Sequence, residues 1–482
     1  MTMHEALRDL EPEMVWNYFD KIRQIPRCSK SEEKIVEFVL SVSKELGLKA
    51  NKDEAGNVVI KKPASQGYEN HTGVCLQGHL DMVCEKNTDI KHDFSKDPIQ
   101  LRREGNYIMA KGTTLGSDNG IGIAVLLAIA QAKDLKHPPL ELLFTIDEET
   151  GLNGASKLSK SFLTSKKFVN CDSEELGTVY IGCAGGGDTS ITLSMGNKTK
   201  TDDMSGVEIA VKGLKGGHSG VDINLGRANA IKCLARVLYN IAQEQKVMLV
   251  DASGGNKRNA IPREAKAKIL LEDKNKALDV IMKIEQKLRD EYDGIEEGIT
   301  IEHSGADESE AYSKDNTEKL ISLLYALPHG YLAFNPHIPD LVDTSTNLAT
   351  LNMEGNEIII GCNTRSSMNS AIESVRDQII TIGKLAGAKG AKEGNYPSWK
   401  PNINSELLGL AKRVYKEKFS KEPEIKAIHA GLETAIIGQH FPGMDMIAIG
   451  PQIEFPHSPD ERVEISSVKI FWDYLVGLLE RL

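Results

Sequence analysis

Five side chains scattered along the sequence, His79, Asp118, Glu149, Asp172 and His457, are of the types that bind divalent cations. They sit in "CLQGHLD", "LGSDNG", "FTIDEETG", "VNCDSE" and "FPHSPDE". Singly, each has a bland explanation: a helix cap for Asp118, a turn for Asp172, a solvated histidine for His457, and helix-start acids in "DEE", where the macrodipole favours them. Together, two imidazoles and three carboxylates suit a borderline cation such as zinc. If Asp118 bridges, each of two metals has three protein contacts and an open position. Two divalent cations then exceed the three carboxylates by one positive charge, which a shared hydroxide balances.

The elements that must position these groups are legible in outline. The runs "NVVIKK", "VCLQGH", "YIMAK", "LELLFTI" and "KKFVNCD" read as strands, and "PEMVWNYFDKIRQI" and "NGIGIAVLLAIAQAKD" as helices. Ser29 and Glu32 form an expected capping box for the helix that follows them. Alternating strands and helices predict an α/β sheet, with site residues at strand C-terminal ends. On an extended strand end, Glu148 and Glu149 point to opposite sides and can do different jobs. From about residue 188 the texture becomes α+β, with antiparallel strands and helices long enough for two small units. After "GNYPSWKPNINSELL" the α/β pattern returns and closes on a helix whose apolar face carries Val468, Phe471, Leu475, Leu478 and Leu482. The expected organisation is a catalytic domain at 1–187 and 396–482, interrupted by a domain at 188–395.

At 482 residues, two domains are the natural expectation. A net charge of −11 argues against binding a phosphate backbone. No signal-like N-terminus is present, and the apolar run "IGIAVLLAIA" is about half of what a membrane helix needs, so a cytoplasmic location is expected. The seven cysteines contain no CxxC pair and read as reduced, mostly buried thiols.

The motifs "GHLDMV", "GSDNGIG", "DEETGLNGA", "CDSEE", "GGHSG" and "PHSPDE", in that order, resemble the dinuclear zinc dipeptidase and aminoacylase superfamily, in particular its carnosinase-like dipeptidases. The resemblance implies a zinc-exopeptidase-like domain of mixed sheet flanked by helices, interrupted by an α+β lid. It implies a hydrolase of Xaa-His and related dipeptides; an N-acyl amino acid deacylase or a tripeptide exopeptidase on the same site is the alternative. It makes His79 and Asp172 ligands of one Zn²⁺, Glu149 and His457 ligands of the other, and Asp118 the bridge; Co²⁺ or Mn²⁺ can substitute. Asp81 orients His79, and Glu148 is the general base. His218 in the lid polarises the scissile carbonyl, Asn259 and Arg365 hold the substrate carboxylate, and Gly431 and Glu433 belong to a substrate-facing loop. A cis bond between Asp118 and Asn119 and a homodimer through the lid are further expectations. Nucleic acid and membrane are not expected partners.

Overall fold

The computed structural model describes residues 3–201 and 203–482. The chain divides into two compact units: Met1–Gly182, Trp399–Ala427 and Leu432–Leu482 form the first, and Cys183–Ser398 with Ile428–Gly431 the second. The second unit is thus an insertion that also takes up four residues from the returning chain.

The first unit is built on an eight-stranded mixed sheet. Its order is Lys49–Lys52, Val58–Lys62, Leu140–Thr145, Val74–His79, Lys167–Asn170, Asp445–Ala448, Thr178–Cys183, Glu424–Ile428. The central strands Leu140–Thr145, Val74–His79, Lys167–Asn170 and Asp445–Ala448 run parallel. Residues in Val74–His79 and Leu140–Thr145 are all buried, as a strand covered on both faces requires. The helix Ser117–Gln131 is buried from Ser117 to Ala130, which explains why its sequence is apolar all round rather than striped. Because neighbouring parallel strands end on the same side, His79, the turn after Thr145 and the turn after Asn170 converge at one sheet edge.

The second unit contains a nine-stranded antiparallel sheet. Its path is Thr300–Ala306, Ser205–Lys212, Ala265–Leu271, Val247–Gly254, Val342–Glu354, Glu357–Ser366, Gly185–Ser194, Lys389–Tyr396, with Gly330–Phe334 also pairing to Val342–Glu354. The two halves of this path join through the single pair Gly254 and Leu351. The helix Ala230–Glu244 buries Ile231, Leu234, Leu238 and Ile241 against the sheet, and its N-cap Asn229 accepts the N–H groups of Ile231 and Lys232.

Three local expectations are corrected. The helix Glu33–Glu45 has no side-chain cap. Ser29 instead donates to Asp81 at 2.8 Å, and Glu32 accepts from the backbone of Lys30 and Asp147, so tertiary partners outcompete the local capping box. Second, the strand ends at Thr145, and Asp147 has φ of 50°, so Glu148 and Glu149 lie in a tight turn rather than on an extended end. Third, Cys28 and Cys84 form a disulfide with Cα atoms 5.7 Å apart, while the other five cysteines are buried. Residue 28 pairs in parallel with Met82, which brings the two thiols together across 56 residues of sequence.

Candidate metal centre

Besides His79, Glu148 and Glu149, and Glu32, Asp81 and Asp147, two overlapping groups of ligand-type atoms form at the C-terminal ends of the first unit's central strands: His79, Asp118 and Asp172, and Asp118, Glu149 and His457. Within each group the atoms lie within 4.8 Å of one another. Asp118 belongs to both. Its Oδ1 is 2.9 Å from His79 Nε2 and its Oδ2 is 3.1 Å from His457 Nε2. His79 Nε2 is also 3.4 Å from Asp172 Oδ1, and His457 Nε2 is 2.9 Å from Glu149 Oε2.

Side chains of this kind would not crowd together without compensation. Burial works against a charged His79, yet Asp172, Asp118 and Asp81 hold its imidazole well above the ordinary range. Hydrogen bonds donated to the carboxylates of Asp118 and Glu149 push His457 up to about 11. Burial raises Asp172 to about 6, offset in part by His79. In this state protons on the two imidazoles offset part of the charge of the three carboxylates. Cations can replace those protons, since bound metals require neutral imidazole and ionised carboxylate. Glu149 Oε1 and Asp172 Oδ1 are buried without a hydrogen-bond partner, which leaves them ready for such an ion. The residues therefore fit two borderline divalent cations sharing Asp118.

Asp81 faces both a ring and a turn. Its Oδ1 stands 3.5 Å from His79 Nδ1 and accepts the Glu148 N–H at 3.1 Å, while Oδ2 accepts the Glu149 N–H at 3.2 Å. Burial notwithstanding, His79 and these donors hold its carboxyl down to about 2. One carboxylate thus fixes both a ring and the turn bearing Glu148 and Glu149. Burial drives the Glu148 carboxyl well up; His79 opposes this, and Glu433, Asp172 and Glu149 add to it. The Asp118–Asn119 peptide bond is cis.

Glu433 begins the helix Glu433–His440 and is 2% exposed. Its Oε2 accepts Gln77 Nε2 at 2.6 Å and Thr145 Oγ1 at 2.8 Å.

The other named residues belong to the second unit. His218 Nδ1 accepts the N–H groups of Gly220 and Val221 at 3.1 and 3.2 Å, so the neutral ring carries its proton on Nε2. Burial, reinforced by Arg365, lowers its pKa and keeps it neutral. Arg365 is buried; its Nε donates to Asn363 Oδ1 at 3.1 Å and its Nη1 to Tyr396 Oη at 2.6 Å. A Cβ on Gly431 would lie 2.8 Å from Tyr396 Cε2, so the ring's position requires glycine there. Asn259 is exposed, and its carbonyl accepts the Ser219 N–H at 2.8 Å.

His429 and Tyr396 were not anticipated. His429 Nε2 lies 2.7 Å from Ser345 Oγ, and burial with Arg365 lowers its pKa to about 4. His429 opens the stretch "HAGLE" that carries Gly431 and Glu433, which was its one local signal; Tyr396 had none.

The model of peptidase family M20/M25/M40 matches residues 75–481. Over 479 residues the chain is 41% identical to the cytosol non-specific dipeptidase of Escherichia coli K12, covering 99% of both chains. It is 40% identical to aminoacylhistidine dipeptidase from Vibrio alginolyticus, whose crystal structure superposes with a TM-score of 0.93 and is covered to 98% by 99% of this chain. Aminopeptidase PepT from Bacillus cereus, at 16% identity and a TM-score of 0.57 with 98% of both chains covered, shares the fold. Among the described residues, no helix is long and apolar enough to cross a membrane.

Proposed function

Since the chain belongs to peptidase family M20/M25/M40, whose members are metal-dependent peptide hydrolases, we propose that it cleaves Xaa-His and related dipeptides at a paired-cation site bridged by Asp118. The observation that carries this reading is the sharing of Asp118 between the two ligand groups. Two Zn²⁺, with Co²⁺ or Mn²⁺ as substitutes, are the proposed ions: His79 and Asp172 would hold one, and Glu149 and His457 the other. When bound, the ions supply Lewis acidity toward the scissile carbonyl and toward the attacking water.

The chain's own residues do the rest. Glu148 takes a proton from the attacking water at its carboxylate and returns it to the leaving amine. Asp81 keeps His79 and the Glu148 turn in register. His218, neutral with its proton on Nε2, donates to the carbonyl oxygen as negative charge grows there. Arg365 holds the dipeptide carboxylate through its planar fork, assisted by Asn259, with Gly431 and Glu433 shaping the substrate side. A cytoplasmic location and a homodimer through the inserted unit complete the reading.

Removal of metal with a chelator should abolish dipeptidase activity, with zinc, cobalt or manganese restoring it. Xaa-His dipeptides should be hydrolysed in preference to acetylated amino acids and tripeptides. Full activity in verified metal-free protein, or preference for the acetylated substrates, would contradict the proposal.

A further inference from the structure

A buried carboxylate outside the ligand set organises the segment that presents Asp118. Glu461 is 2% exposed, and burying a carboxylate is costly unless hydrogen bonds compensate it. Its Oε2 accepts the N–H groups of Leu115 at 2.7 Å and Gly116 at 2.9 Å. Its Oε1 accepts the Ser117 N–H at 2.7 Å, the Ser117 hydroxyl at 2.7 Å and the Asp118 N–H at 3.2 Å. Four consecutive amides and one hydroxyl therefore converge on a single side chain.

This is more than a helix cap. Asp118 and Asn119 have non-helical backbone angles, so the amides that Glu461 collects belong to the turn before the regular helix. On the other side of that turn stands Arg27, also 2% exposed. It donates to the Gly116 carbonyl and, through Nη1, to the carbonyls of Leu80 at 2.9 Å and Asp81 at 2.7 Å. Gly116 has φ of 69°, and a Cβ there would lie 2.6 Å from Arg27 Nη2, so the turn accepts only glycine. Glu461 also follows His457 by four residues, and His457 faces Asp118 Oδ2 at 3.1 Å. One buried anion and one buried cation thereby tie together the segments carrying His79, Asp118 and His457.

We propose that Glu461 is a positioning residue for the paired-cation site, holding the turn 115–118 so that the two carboxylate oxygens of Asp118 face His79 and His457, with Arg27 bracing the same turn against the His79 segment. This rests on the reading that Asp118 bridges two cations. Glu461→Gln preserves shape but removes the charge and replaces one acceptor oxygen with an N–H₂ group facing amide donors.

The test is a Co²⁺ titration of the metal-free full-length chain, followed by calorimetry and by visible absorption of the bound ion. Wild type should take up two Co²⁺. Glu461→Gln should bind Co²⁺ roughly 10–100-fold more weakly, the usual cost of removing a group that supports a ligand, with an altered absorption spectrum. The control is Glu141→Gln: Glu141 is another buried carboxylate, accepting from the backbone and hydroxyls of Thr164 and Ser165. Its loss should lower thermal stability yet leave Co²⁺ affinity and spectrum as in wild type. Wild-type affinity and spectrum in folded Glu461→Gln would overturn the proposal, as would equal changes in both variants. Should Glu461→Gln not fold, Ser117→Ala removes one of the five bonds and should weaken Co²⁺ binding in the same direction by a smaller factor; unchanged binding there also overturns it. A wild-type chain that takes up fewer than two Co²⁺ would instead sink the paired-cation reading itself, whatever Glu461 does.

Discussion

Replacing Asp81 with asparagine should uncouple the metal site from the turn that carries the general base. The side chain is completely buried and serves four neighbours: the Glu148 N–H at 3.1 Å, the Glu149 N–H at 3.2 Å, the Ser29 hydroxyl at 2.8 Å and His79 Nδ1 at 3.5 Å. Asparagine has the same outline but only one acceptor oxygen. Whichever way the amide is turned, its N–H₂ group confronts a backbone donor, so at least one amide of the turn loses its partner. An unsatisfied buried donor costs about 1–3 kcal/mol. Loss of the negative charge behind His79 adds roughly a 10–100-fold loss in metal affinity. Thermal unfolding of the metal-free chain measures the first effect, and competition with a chelating dye the second. Asp81→Asn with wild-type metal affinity would refute the view that Asp81 acts through His79. Unchanged stability would refute the view that it secures the Glu148 turn.

Arg365→Lys should raise KM for free dipeptides, because an ammonium cannot reproduce the fork that now reaches Asn363 and Tyr396; a dipeptide amide should be processed equally by both forms, and equal impairment on both substrates would contradict the carboxylate role. His218→Ala should lower turnover by ~10²–10³ with metal content unchanged; wild-type turnover would remove its polarising role. His429, lowered to about 4 by burial and Arg365, binds fewer protons when folded than when unfolded between pH ~4 and ~6.5, so stability rises with pH across that window. Acidification from about pH 7 to about pH 4.5 should cost on the order of 2–3 kcal/mol through this group; urea unfolding should show a flatter pH dependence for His429→Gln, and an unchanged dependence would contradict the assignment.

The convergence of His79, Glu149 and Asp172 was legible because buried parallel strands announce themselves as apolar runs and deliver their C-terminal residues to one end of the sheet, while Asp118, at a helix start, and His457, in a turn, were legible only through their motifs. What joined them was not. Arg27, Cys28 and Ser29 sit beside the site through contacts more than 50 residues away in sequence, and no local pattern distinguishes Ser29 as a partner of Asp81 from Ser29 as a helix cap. Glu461 lies in plain view within "PHSPDE", yet its five donors come from a turn some 344 residues earlier, so only the folded chain reveals its task. The turn conformation at Asp147 was equally hidden, because an apolar strand followed by acids does not state where extension stops. In the second unit, the sequence announced an α+β texture of antiparallel strands and helices, whereas the order joining the strands through Gly254 and Leu351 depends on packing across the whole sheet.

Glu149 is proposed to hold a cation while its neighbour Glu148 moves protons, both presented by one turn that Asp81 secures. Metal content and dipeptide turnover of Glu148→Gln and Glu149→Gln, measured side by side, test it most directly. Glu148→Gln should retain two cations per chain and lose turnover by roughly 10²–10⁴, because an amide of the same shape cannot accept the proton. Glu149→Gln should lose a cation and regain part of its activity when zinc is added. A metal-depleted Glu148→Gln beside a metal-replete, inactive Glu149→Gln would reverse the two roles, and full turnover in either variant would contradict the mechanism.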